Sequence, residues 1–161
     1  MRYRRLRMSF KVEIDLRELR PFFEQFQISH LLLTVFALHM LQIAFPTNGF
    51  VFDEAHYVPA SLETLKGVGT NPAHPPLTKV FGAIGIALFG NNWFGWRFPQ
   101  VLFHLGAIYL VYLIAKRFMG ERLGLASAAF YSFDVLTFIH GGILVIDASS
   151  LFFALLALEL Y

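Results

Sequence analysis

The amino-acid sequence predicts an all-α fold, a polytopic membrane helix bundle. Three observations carry that expectation. The 161 residues are 57% hydrophobic and only 15% charged, where an ordinary soluble domain carries about 25% charge. The apolar residues come in blocks, several of them approaching the roughly 20 residues needed to cross a bilayer. No stretch alternates apolar and polar residues with the period of two that a half-buried strand requires. Cysteine is absent, which excludes disulfide and thiolate chemistry.

Residues 1–27 read as a basic and amphipathic segment on the cytoplasmic side. The first twenty, "MRYRRLRMSFKVEIDLRELR", hold seven Arg or Lys against three acids. A basic tail running straight into an apolar span follows the positive-inside rule. Neither zinc-ligand spacing nor aromatic-basic interleaving accompanies it, so nucleic acid is not an expected partner. The apolar run starts near Ile28, too late for the core of a cleaved signal peptide, and reads as an uncleaved first span. Before it, "KVEIDLRELRPFFEQFQ" suits a short amphipathic piece lying on the membrane face. Ser29 is the expected cap, and the span runs from about 28 to 46, stopping near Pro46.

Residues 28–161 form the membrane domain, interrupted by an outer loop at 47–76. Within the loop, "PASLETLKG" predicts a helix with Glu63 and Lys66 on one face, ended by Gly67 and Gly69. The next apolar stretch, Leu77 to Gly90, gives only about 21 Å of helix against a hydrocarbon layer of roughly 30 Å. Residues 98–115 and 123–140 are better spans, and "ASSLFFALLALELY" begins another. If 77–90 crosses fully, the basic "KRFMGER" turn lies outside and Asp147 inside. If it does not, that turn stays inside, as basic residues prefer, and Asp147 emerges on the side of Asp53. The second arrangement is preferred, because short helices that line a protein cavity need not cross.

Chemistry gathers in "VFDEAHYVPASLETLKGVGTNPAHPPLTK", residues 51–79. Asp53 and Glu54 are adjacent, so on a helix they point about 100° apart and form no dyad by themselves. A partly dehydrated aspartate just beyond a span is a candidate general base or cation ligand. His56 and His74 are candidate ligands or proton carriers beside it. His74 precedes a proline and must be extended, so a helix can begin at Pro75 or Pro76. Lys79 then falls in the first turn, where a cation and exposed amides suit a lipid phosphate. Arg97 is a second cation for that role, with Trp93 and Trp96 forming an interfacial belt. Asp134 and Asp147 would each need a partner or an aqueous route if submerged. His30, His39, His104 and His140 are expected to pack and hydrogen-bond within the bundle.

These features, in this order, resemble the multi-spanning GT-C glycosyltransferases that use lipid-phosphate sugars. The closest likeness is to the protein O-mannosyltransferases and the bacterial aminoarabinose or undecaprenyl-phosphate-sugar transferases. It rests on "FDEAHY" after the first span, "HPPLTK" opening the next apolar segment, "LFGNNWFGWRFP", "AKRFMGERLGLASAAFYS" and "VIDASSLFFALLALEL", and covers residues 30 to 161. The resemblance implies a polyprenyl-phosphate-linked sugar donor, mannose being one such sugar, and a protein or lipid-linked acceptor. It makes Asp53 the catalytic or acceptor-orienting carboxylate with Glu54 its usual neighbour. It places His74, Lys79, Arg97 and Asp147 at the substrate, and the loop position of His56 beside Asp53 adds that histidine as a substrate-binding candidate. No metal or cofactor is implied, since "IDASS" lacks a paired acidic motif. The family's greater length implies that this chain is an N-terminal portion whose cavity later helices, the remainder of the enzyme, would complete. The implied location is a plasma or endoplasmic reticulum membrane, among membrane lipids.

Two other classes compete. A transporter fragment would spread polar residues through several spans, whereas here they cluster in one loop. A structural membrane protein without chemistry would need no such cluster.

Overall fold

The computed structural model describes residues 26–68 and 74–161, all helix and connecting turn. The helices are α1 (Ile28–Gln42), α2 (Glu54–Leu65), α3 (Leu77–Phe89), α4 (Trp93–Met119), α5 (Glu121–Phe133), α6 (Val135–Gly141) and α7 (Ile146–Leu160). The expected basic segment falls almost entirely on residues outside the described ones.

The long α4 is the axis of the bundle, and α1, α3, α5, α6 and α7 all pack on it. It begins at Asn92, whose side chain accepts from the N–H groups of Phe94 and Gly95 at 3.0 Å each. That cap satisfies two of the orphan donors of the first turn. The helix therefore starts five residues before the span expected from hydropathy. Its 27 residues reach about 40 Å, enough to cross a bilayer. It is the one described helix that is long and apolar enough to do so alone, and α5 with α6 passes only as a pair bent by 69°. The expected continuous span at 123–140 is thus broken. Asp134 breaks it by leaving the helix and capping α6, its Oδ2 accepting from Thr137 N–H at 3.1 Å.

Leu31 and Val35 of α1 pack on Ile108 and Tyr112 of α4 and Ala128 of α5. Outward, Leu33, Leu41, Phe118, Phe130 and Leu136 are each more than half exposed, while Arg97, His39, His104, Gln100 and Glu54 are buried. Apolar outside and polar inside is the distribution that a hydrocarbon solvent favours. Two sequence expectations shift here. The cap of α1 is Gln27 rather than Ser29, its N–H donating to His30 Nδ1 at 3.1 Å. The loop helix begins at Glu54, five residues earlier than expected, and carries Pro59 inside it.

The short α3 packs on α2 and, along α4, on its first three turns. Phe81 meets Phe103 at 4.5 Å between ring centroids, and Phe89 meets Phe94 and Phe98 at 5.1 and 5.4 Å. The two backbones close at Gly85 and Gly95, where a Cβ on either would collide with a carbonyl oxygen. Gly120, at φ +83°, turns α4 into α5 at the opposite end. Near that end Arg117 pairs with Glu159 of α7 at 2.6 Å. Helix α7 therefore starts at the α3 end, where Thr78 and Ser149 share a hydroxyl hydrogen bond of 2.7 Å. Asp147 consequently sits at the same end of the bundle as Asp53.

Candidate functional site

The site is built where α1 ends, α2, α3 and α7 begin, and α4 passes. Its anchor is an ion pair sealed from solvent. Glu54 and Arg97 are both 0% exposed. Arg97 Nε and Nη2 donate to the two carboxylate oxygens of Glu54 at 2.8 Å each, a bidentate fork. The carboxylate also accepts from the N–H groups of Val51 at 2.9 Å and Leu144 at 3.1 Å. Arg97 Nη1 donates to the carbonyls of Ile43 at 3.0 Å and Pro46 at 3.1 Å. One pair thereby ties together the end of α1, the start of α2, α4 and the turn before α7.

This corrects two expectations. Glu54 was expected beside Asp53 in the catalytic pair, and Arg97 at a lipid phosphate. In this geometry they saturate each other, and neither presents a polar edge outward. The physical reason is the helical rotation of about 100° between neighbours: α2 begins at Glu54, and the turn that buries Glu54 leaves Asp53 at the surface.

Asp53 is the residue before α2, half-buried, and its carboxylate makes no capping bond. Phe52 just before it takes φ +52°, a left-handed value rare for a bulky side chain. Its ring stacks on His140 at 6.0 Å. His140 in turn lies 3.1 Å from an Asp147 carboxylate oxygen through Nδ1. His140, expected to pack inside the bundle, instead joins Asp147 to the turn that carries Asp53.

Tyr57 is the residue that sequence reasoning missed. It follows Asp53 by one helical turn, is 1% exposed, and its hydroxyl has no partner among the described residues. Burial, then the negative charges of Asp53 and Asp147, push its phenol above the usual 10. The fields of both carboxylates thus converge on one neutral hydroxyl. The signal that could have found it is the i, i+4 spacing in "DEAHY", which places Tyr57 on the face of Asp53.

His74 is exposed, and its ring lies 5.9 Å from that of Tyr57. His56 is exposed on α2, away from these contacts. Lys79 was expected to reach out to the headgroup plane. It is instead 3% exposed, and its ammonium folds back to donate to the carbonyl of His74 at 3.0 Å. The extended residue before the two prolines supplies that carbonyl, so the "HPPLTK" turn and its cation form one unit. Among the described residues no three His, Asp or Glu side chains gather as a metal site. What the arrangement offers is a half-buried carboxylate at one end of the bundle, with Asp147, the Tyr57 phenol and the Lys79 ammonium at the same end.

Residues 73–161 match the family described as dolichyl-phosphate-mannose-protein mannosyltransferase. That segment includes His74, Lys79, Arg97 and Asp147 but not Asp53. The chain is 35% identical over 115 residues to the polyprenol-phosphate-mannose–protein mannosyltransferase of Mycobacterium tuberculosis (strain CDC 1551 / Oshkosh), covering 66% of this chain and 22% of that protein. It is 33% identical over 127 residues to the protein of the same description in Mycolicibacterium smegmatis, covering 73% and 25%. For the Corynebacterium glutamicum protein the identity is 34% over 86 residues, covering 45% and 16%. The chain thus spans a quarter or less of the length of these relatives. No solved structure matches it.

Proposed function

From a chain that belongs to the dolichyl-phosphate-mannose-protein mannosyltransferase family, we propose the donor- and acceptor-activating part of a multi-pass membrane mannosyltransferase. The donor is a polyprenyl-phosphate mannose and the acceptor a protein hydroxyl. The observation that carries the reading is the placement of Asp53: half-buried, without a capping bond, and one helical turn before the buried Tyr57 at the end of the bundle where α3 begins.

The chemistry is one displacement at the anomeric carbon. Asp53 accepts the proton of the acceptor hydroxyl as its oxygen bonds to C1. The C1–O bond to phosphate breaks, and its electron pair leaves on the phosphate oxygen. Lys79, whose ammonium is held 3.0 Å from the His74 carbonyl at the start of α3, is the cation assigned to that developing charge, which it reaches by releasing that carbonyl. Asp147, through His140, and His74, through Tyr57, border the reacting centre. Glu54 and Arg97 position Asp53 by fixing the start of α2.

Donor capture tests the reading. Chain in lipid nanodiscs should retain radiolabelled polyprenyl-phosphate mannose, and Lys79→Ala should weaken that retention about tenfold or more, as loss of a charge-assisted contact implies. Retention that is absent in the parent chain, or indifferent to Lys79→Ala, refutes it.

The membrane topology belongs to the same proposal, with residues 1–27 cytoplasmic, α2 and α3 outside and the α4–α5 turn inside. A cysteine placed at Asn48 should react with an impermeant thiol reagent from outside sealed cells, and one at Gly120 only after the cells are opened. Equal reactivity at both positions would reverse the assignment.

A further inference from the structure

The turn that delivers Asp53 sets a bulky residue where glycine is the natural choice. Val51 to Glu54 is closed by the Glu54 N–H donating to the Val51 carbonyl at 3.1 Å. The two central residues are Phe52, at φ +52°, and Asp53, at φ −71° and ψ −3°. A positive φ at the first central position of a turn favours glycine. A bulky side chain held there costs at least as much free energy as one aromatic contact contributes. Burial does not offset that cost, because Phe52 is 68% exposed. Its ring partner among the described residues is His140, at 6.0 Å between centroids and with the ring planes 18° apart.

His140 is itself held from two sides. Helix α6, which carries it, is fixed to the end of α1: Phe138 stacks on His39 at 4.5 Å, and the Ile139 carbonyl accepts from the Gln42 amide at 3.2 Å. On the other side, His140 Nδ1 lies 3.1 Å from an Asp147 carboxylate oxygen at the start of α7. An ionised carboxylate only accepts, so Nδ1 is assigned the proton, and the bond sets the direction of the ring. Both side chains are partly open to solvent, where such a pair adds little stability. Its effect is to orient.

We propose that His140 is a positioning residue for mannosyl transfer, acting through the Phe52 ring to set the direction of the Asp53 carboxylate. This role rests on the transferase reading above and deepens it. Phe52 and Asp53 are joined by one planar peptide unit, so the dihedral angles that place the ring also place the backbone from which the carboxylate projects. Asp147 orients His140, His140 stacks on Phe52, and Phe52 fixes the turn. The base is thereby referred to α6 and α7 as well as to its own helix. A phenylalanine that destabilises its turn is kept for where it holds its neighbour.

The test measures mannosyl transfer and thermal unfolding together, on the enzyme assembled in its membrane. Phe52→Gly removes the ring and adopts φ +52° without steric cost. The unfolding temperature should hold or rise, while kcat falls by about tenfold or more and KM for polyprenyl-phosphate mannose stays at its parental value. His140→Leu should lower kcat to a similar extent, whereas His140→Phe, which keeps a ring for stacking, should recover most of it. Phe52→Gly combined with His140→Leu should lose no more than either change alone, since both act through one contact. Parental kcat in Phe52→Gly or His140→Leu overturns the role, as does a rise in KM without a fall in kcat. So do losses that multiply in the double variant, an unfolding temperature of Phe52→Gly that falls along with its kcat, and a His140→Phe enzyme no better than His140→Leu. If His140→Leu does not fold, Phe52→Gly and His140→Phe decide between them. A parent enzyme that transfers no mannose overturns the transferase reading itself, a result distinct from all of these.

Discussion

Mannosyl transfer should fall by about 10²- to 10⁴-fold when Asp53 is replaced by asparagine, the range expected for loss of one general base. The amide keeps the size of the side chain and can still donate and accept hydrogen bonds, but it cannot take the acceptor's proton. Asp53 makes no capping bond to the start of α2, so the helix does not depend on its charge. Membrane insertion and binding of polyprenyl-phosphate mannose should therefore stay near parental values. The measurement is transfer to a Ser/Thr-containing peptide beside donor binding, in the enzyme assembled in its membrane. Near-parental transfer in Asp53→Asn would exclude Asp53 as the base. Parallel loss of binding and transfer would make it a donor ligand instead.

The largest effect on stability should come from the Glu54–Arg97 pair. Both groups are 0% exposed, and the pair holds five polar backbone partners beyond itself, at Ile43, Phe45, Pro46, Val51 and Leu144. Glu54→Gln leaves a buried guanidinium without its counter-charge, and Arg97→Met leaves a buried carboxylate likewise. Each single change should cost about 3–5 kcal/mol, the usual penalty for breaking a buried pair from one side. That is a large share of the roughly 5–15 kcal/mol that holds a folded domain together. The double variant should be less destabilised than the sum of the two, since no uncompensated charge then remains. Thermal unfolding in detergent of the four proteins completes the cycle. If Arg97→Met instead kept the parental unfolding temperature and lost only donor binding, Arg97 would be a phosphate ligand after all.

Much of the fold is legible in the sequence because hydropathy is a local quantity. The apolar blocks locate α1, α4, α5 and α7 to within a few residues, and "HPPL" marks the start of α3. What misled is also local. Pro59 looks like a helix start, yet α2 already begins at Glu54 and carries that proline in its second turn, at the cost of the one bond that its missing N–H would make to the Ala55 carbonyl. The block at 123–140 looks continuous because one aspartate barely lowers its mean hydropathy. Asp134 nevertheless breaks it, by offering its carboxylate to the amide of Thr137.

By itself, then, the sequence determined that this is an all-helical chain with apolar segments, that its polar chemistry is concentrated between residues 51 and 79, and that an acid follows the first apolar helix. Tertiary structure alone decided which of the two adjacent acids faces inward. It also decided that Glu54 meets Arg97, 43 residues away, and that His39 meets His104, 65 residues away. It brought Asp147 to the end of the bundle that holds Asp53, where the charges of both reach the buried Tyr57 phenol. The reason is geometric: neighbours on a helix diverge by about 100°. Composition tells only that both are acids, whereas the packing of α4 against the ends of α1, α2 and α7 selects the one that is buried and the one left half-exposed.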